Sequence, residues 1–94
     1  MDPSQYSVVG IYRNDTEADF HLYLELIPEE VVLSPGHEIE LLARPSPDLL
    51  PLHVCFVGDG LQIYAHKEGD PDWHVRFKGY VVKVGSPTFL CDLE

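Results

Sequence analysis

The side chains with the widest chemical repertoire in this 94-residue chain are its two cysteines and five histidines. Their spacing decides what they can do. His53 and Cys55 stand two apart in a run of β-forming residues, so they project to one face of a strand. His66 lies on the predicted return strand, and His74 opens the next β run. Zinc takes nitrogen and sulfur donors at about 2.0–2.3 Å in a tetrahedron. His53, Cys55 and His66 would supply three such donors, so a small metal-binding protein is one reading. Against it, the chain has no Cys-x-x-Cys and no His-x-x-x-His. Both cysteines also sit in apolar contexts, His-Val-Cys-Phe-Val and Phe-Leu-Cys-Asp-Leu, where a free Cys packs as a small hydrophobe. Cys55 is therefore expected in the core, and no metal or cofactor is expected.

The carboxylates come next. Asp15, Glu17 and Asp19 alternate, as do Glu68, Asp70 and Asp72. Calcium wants such oxygen clusters, but neither stretch has the EF-hand's glycine together with its terminal bidentate glutamate. Glu38 and Glu40 would share one strand face at a spacing that suits acid–base chemistry. Without a cleft they read as an exposed strand face. There is no Gly-x-Ser-x-Gly elbow, phosphate loop or His-Glu-x-x-His. No catalytic residue is assigned, and the reading leans away from an enzyme. One local feature opposes the general acidity: His74, Arg76 and Lys78 share a parity in the last long β run. They form a basic stripe suited to an acidic peptide or a phosphate, or they pair across the sheet with Glu25, Glu38 or Glu40.

The elements that must hold these residues read as strands. Tyr6–Arg13 is β-rich and closes on Asn14-Asp15. In Asp19–Ile27, Phe20, Leu22, Leu24 and Leu26 alternate with His21, Tyr23 and Glu25, the period of a half-buried strand. A helix capped near Asp15 is the competing reading. Val31–Leu33 and His37–Ala43 flank Ser34-Pro35-Gly36 as a hairpin or a corner. Three prolines make Arg44–Pro51 a crossing loop, pinned by Leu49 and Leu50. Leu52–Val57 and Leu61–His66 form a hairpin about Gly58-Asp59-Gly60. Trp73–Val84 is a long β run in which the apolar parity switches at Gly79, as a bulge or bend would allow. Thr88–Leu93 adds a short edge strand. The expected fold is one all-β domain spanning residues 1–94, with about seven short antiparallel strands in a sandwich or partly open barrel. Its expected core is Phe20, Leu22, Leu24, Ile39, Leu41, Val54, Phe56, Ile63, Trp73, Val75 and Phe77.

Charge sets the class of partner. Sixteen carboxylates against six Lys and Arg give a formal charge of −10. Such a surface repels phosphate backbones and anionic lipid, which disfavours direct binding to nucleic acid or membrane. A basic protein surface is its natural complement. No secretory leader and no apolar run of membrane-spanning length is seen, so the cytoplasm is the default location. A domain this small has a thin core, and oligomerisation is one way to bury more.

One stretch carries a family likeness. Leu41–Ala65, with Ala43-Arg44-Pro45, Val54–Val57 and Asp59-Gly60-Leu61-Gln62-Ile63, and Val8-Val9-Gly10 near the start, resembles HIRAN domains, small β-barrels that bind DNA ends. That resemblance implies a barrel that binds nucleic-acid ends. The chain departs from it where Ser46-Pro47-Asp48-Leu49 replaces the Asn-Pro-Tyr-Asp such domains usually carry. The reading taken forward is a small, acidic, non-enzymatic binding or regulatory protein. Its carboxylate-rich surface would dock on a basic site of a larger protein, a nucleic-acid-handling protein being one such partner. The interaction candidates are Asp15, Glu17, Asp19, Glu68, Asp70 and Asp72, with His74, Arg76 and Lys78 as the basic stripe.

Overall fold

The computed structural model describes residues 5–25, 29–67, 70–85 and 87–93. Nine strands stand among them: β1 (Ser7–Arg13), β2 (Phe20–Leu24), β3 (Glu29–Leu33), β4 (Glu38–Ala43), β5 (His53–Val57), β6 (Gly60–Tyr64), β7 (His74–Phe77), β8 (Tyr80–Lys83) and β9 (Thr88–Phe89). A 3-10 turn at Leu90–Leu93 follows. The strands form two sheets, one ordered β1-β4-β7-β8 and the other β5-β6-β2-β3-β9. The fold is all-β and sandwich-like, as the alternation implies.

Between the sheets lies one apolar cluster. Leu22 and Leu24 of β2, Val31 and Leu33 of β3, Ile39 and Leu41 of β4, Ile63 of β6 and Val75 of β7 are all at most 1% exposed. Trp73 is buried among them, and its indole N–H donates to the Glu25 carbonyl at 3.1 Å. Asp19–Ile27 is thus a strand and not a helix over its described part, while Leu26 and Ile27 lie outside the described residues.

Three details differ from the sequence reading, and one choice it left open is decided. The pairings β2–β6 and β3–β9 are parallel. Period-2 patterning selects the buried face and is blind to direction, so it could not separate these from antiparallel pairs. Val31–Leu33 and His37–Ala43 make a corner, since β3 and β4 belong to different sheets. The corner is a β-turn in which His37 N–H donates to the Ser34 carbonyl at 3.0 Å and Gly36 takes φ +85. Trp73–Val84 is not one bent strand. Lys78 (φ 51) and Gly79 (φ 85) form a two-residue hairpin turn between β7 and β8, with left-handed conformations at both positions. The parity switch at Gly79 is that turn. In the crossing loop Leu49 is buried, but Leu50 is 55% exposed and pins nothing.

The largest correction falls on β5. Val54 is 41% exposed and Phe56 is 89% exposed, so neither is core, and Cys55 is exposed as well. The parity was right: Val54 pairs with Ile63 and Phe56 with Leu61, on the face that carries the core. But β5 is the last strand of its sheet, bonded only to β6, and the four-stranded sheet does not cover it.

Candidate binding surface

The acidic surface begins at the loop that leads from β1 to β2. Asn14 is 1% exposed and ties this loop together. Its Nδ2 donates to the carbonyls of Ala18 and Leu33, each at 2.8 Å. Its Oδ1 accepts from Thr16 N at 2.9 Å and Thr16 Oγ1 at 2.7 Å. Its backbone N–H donates to the His37 carbonyl at 2.9 Å, and its carbonyl accepts from Gly36 N at 2.8 Å. The sequence places a polar residue with local hydrogen-bonding reach where the chain must leave one sheet for the other. Asp15, Glu17 and Asp19 project from this fixed frame and are exposed. Arg13 Nε lies 2.7 Å from Asp15 Oδ1, an exposed pair worth about 0–1 kcal/mol. Because the loop is already ordered, a partner that docks on it loses little conformational freedom in doing so.

The second predicted acidic stretch does not act as a unit. Glu68 lies outside the described residues. Asp70 is exposed, and its Oδ1 accepts from Asp72 N at 2.8 Å. Asp72 is a tie and not a displayed charge: it takes φ 50, and its carboxylate accepts from the Tyr6 hydroxyl and from Lys83 Nζ at 2.9 Å. The Tyr6 hydrogen bond and then the Lys83 ammonium hold the Asp72 carboxyl below the usual carboxylate range. Tyr6 is pushed up to about 12 by desolvation and by the same carboxylate. Lys83 also reaches Glu29 Oε2 at 3.5 Å. Burial raises the Glu29 carboxyl, and the Lys83 charge only partly opposes it. Burial works against the Lys83 ammonium, yet its two carboxylates outweigh that and raise its pKa.

The basic stripe of the sequence reading is not formed. His74 is buried, with Nδ1 2.9 Å from the Asp72 carbonyl oxygen and its ring edge-on to Tyr6 at 4.9 Å. Arg76 NH1 donates to Glu40 Oε1 at 3.0 Å, the cross-strand pairing that was the alternative. Lys78 stands in the β7–β8 turn, 5.4 Å from the Phe77 ring centre. The turn breaks the parity that would have aligned the three. Glu38 and Glu40 are likewise separated in role: Glu38 is exposed, and Glu40 is held by Arg76.

Of the metal candidates, two come together. His53 Nε2 lies 3.2 Å from His66 Nδ1, and the rings stack at 5.4 Å. Cys55 shares the strand face of His53 but joins no such pair, and no group of three or more His, Cys, Asp or Glu able to hold a metal stands among the described residues. The structure also assembles a cluster that the sequence reading missed. On the outer face of β2, His21 Nδ1 lies 2.5 Å from Glu30 Oε2 and the His21 and Tyr23 rings stack at 5.8 Å. Tyr23 donates its hydroxyl to Asp59 at 2.8 Å, and that hydrogen bond, with desolvation, raises it to about 12. Alternation does place His21 and Tyr23 outward. Their partners on β3 and in the β5–β6 turn follow only from the register.

No family model, curated protein or solved structure matches this chain. The HIRAN resemblance gains no support from these comparisons, and no residue role is carried over from it. No helix among the described residues is long and apolar enough to cross a membrane.

Proposed function

We propose that this chain is a non-enzymatic binding protein that docks a carboxylate-bearing surface on a basic site of another, larger protein. The observation that carries this reading is how the charges are spent. Arg13, Lys67, Arg76 and Lys83 each pair with a carboxylate of the chain itself, and Arg44 donates to the Asp70 carbonyl at 2.5 Å. Meanwhile Glu17, Asp19, Glu38, Asp59, Asp70 and Asp92 remain exposed, as do Asp15 and Asp48 beside their partners Arg13 and Lys67. Cations are thus consumed locally, while carboxylates are presented, most of them at the loops that line the surface. The ordered Asn14 loop is the best-organised part of that surface.

The test uses the whole chain and a variant with Asp15→Asn, Glu17→Gln and Asp19→Asn together. Affinity capture from the native host at low salt should recover a basic partner with the parent and lose it with the variant. With that partner purified, the association rate should fall steeply with salt and with the triple substitution, while dissociation changes less. Equal association rates for parent and variant would overturn the reading, as would turnover of a small molecule by the pure protein.

A further inference from the structure

We propose that β5 is a self-association edge, which pairs antiparallel with β5 of a second copy of this chain about a twofold axis at Cys55. The backbone shows that the edge is open. The Ile63 carbonyl accepts from Glu25 N at 2.9 Å, so the backbone groups of Ile63 face β2. Those of its neighbours Gln62 and Tyr64 therefore face β5, where they meet Cys55 and His53. It follows that Val54 and Phe56 turn their N–H and C=O groups away from β6, to the outside of the sheet. Side chains tell the same story. Phe56 at 89% exposure is the most exposed large apolar residue among those described, with Val54 beside it on the core-bearing face.

Edge strands are normally blunted by charge, proline, a bulge or shortness. The other three sheet edges in this structure follow that rule. β1 carries a bulge between Val8 and Gly10 and ends on Arg13, β8 ends on Lys83, and β9 has two residues. β5 has none of these devices: His53-Val54-Cys55-Phe56-Val57 contains no Asp, Glu, Lys, Arg or proline.

Charge selects the occupant. A basic partner would seek carboxylates, and this strand has none. Two copies at −10 each repel one another, so they can meet only where carboxylates are missing. The twofold pairing is also self-complementary. Val54 and Phe56 of one copy exchange hydrogen bonds with Phe56 and Val54 of the other, and Cys55 stands opposite Cys55 at a Cα separation of about 4.5 Å, the value for a non-hydrogen-bonded pair. The antiparallel sense places the two Asp59 carboxylates at opposite ends, roughly 25 Å apart at the usual strand rise. A parallel pairing would bring them together. The result is a continuous ten-stranded sheet, with each Phe56 packed on the second copy's Val54.

The experiment is sedimentation of the full chain over a concentration series, together with cross-linking of a Cys91→Ser variant by a short bis-maleimide. The parent should sediment at twice the single-chain mass and cross-link through Cys55. Phe56→Glu should halve the mass and abolish the cross-link while it keeps the melting behaviour of a folded monomer, since Phe56 contributes nothing to the core. A parent that stays monomeric at millimolar concentration would overturn the proposal. So would a dimer that fails to cross-link at Cys55, or one that survives Phe56→Glu. Binding of the basic partner by the Phe56→Glu monomer would leave the proposed function intact, because the two surfaces are separate.

Discussion

Replacing Asn14 with Ala should be among the most damaging single substitutions at any polar position in this protein. The side chain is buried and makes two donations, to Ala18 and Leu33, and two acceptances, from Thr16. The Thr16 groups lie near solvent and can turn to water, so their loss counts for little. Each donation contributes a net of about 1 kcal/mol, and the Leu33 carbonyl keeps its ladder bond from the facing Phe20 N–H, so no buried carbonyl is orphaned. The sum is about 2 kcal/mol, a substantial share of the roughly 5–10 kcal/mol that holds a small domain together. With a urea m-value near 1 kcal/mol/M, the unfolding midpoint should fall by about 2 M. Asn14→Asp is the sharper variant. It keeps the shape and the acceptor role towards Thr16 but sets a carboxylate oxygen against two carbonyls, so it should be no more stable than the alanine variant. Amide exchange at Thr16 should quicken in the alanine variant, which loses its acceptor. A midpoint shift worth less than about 1 kcal/mol, or an Asn14→Asp protein as stable as the parent, would refute the argument that this residue ties the acidic loop to the sandwich.

Two further outcomes follow from the geometry. A Cβ at Gly60 would sit 1.7 Å from the His21 carbonyl oxygen, so Gly60→Ala must push β6 off β2; it should cost several times what Gly58→Ala costs, where nothing lies within 4 Å, and equal urea midpoints for the two would sink the argument. Asp72 and Glu29 should show opposite pH dependence. Asp72 titrates below its usual 3.8 when folded, so its contribution is complete above 3.8 and is lost as pH falls through the lowered value. Glu29 titrates above 4.5 when folded, so stability falls as pH rises from 4.5 through its raised value. Urea midpoints across about pH 3–7 should therefore show Asp72→Asn flattening the acid limb and Glu29→Gln removing the fall above 4.5; an acid limb in Asp72→Asn parallel to the parent's would contradict the first assignment, and an unchanged fall above 4.5 in Glu29→Gln the second.

Much of the sandwich was legible because period-2 alternation reports a buried face directly. Leu22 and Leu24, Ile39 and Leu41, and Val75 and Phe77 are buried as their parity demands. Turn chemistry was legible where one residue type forces it, as Pro35-Gly36 does at the β3–β4 corner. What parity does not contain is strand direction, strand order or the extent of the opposite sheet. The parallel β2–β6 pairing depends on Gly60 for close approach to β2, a need that looks the same in sequence as a turn glycine's. Lys78-Gly79 shows the reverse error: a hairpin turn with an ordinary residue in its first place hid inside an apolar run, and it took the basic stripe of His74, Arg76 and Lys78 apart.

Phe56 shows most clearly where such reading stops. An alternating strand declares which of its faces is apolar, and β5 declares it correctly, since Val54 and Phe56 share the face of Ile63. Whether that face is covered depends on the strand's place in the sheet order, which long-range pairings decide. Five strands in one layer over four in the other leave one strand uncovered, and β5 is at the end of the longer row. A sequence under selection only to fold would relax there to Lys, Glu or Thr, because an exposed phenyl ring adds nothing to a monomer's stability and an open edge invites misassembly. β5 instead retains Val, Cys, Phe and Val without one charged residue, in a chain that carries 16 carboxylates. The strand that breaks the expected core is therefore the strand whose composition calls for a second layer or a neighbouring strand, and an antiparallel twin supplies that neighbour without bringing two acidic surfaces into contact.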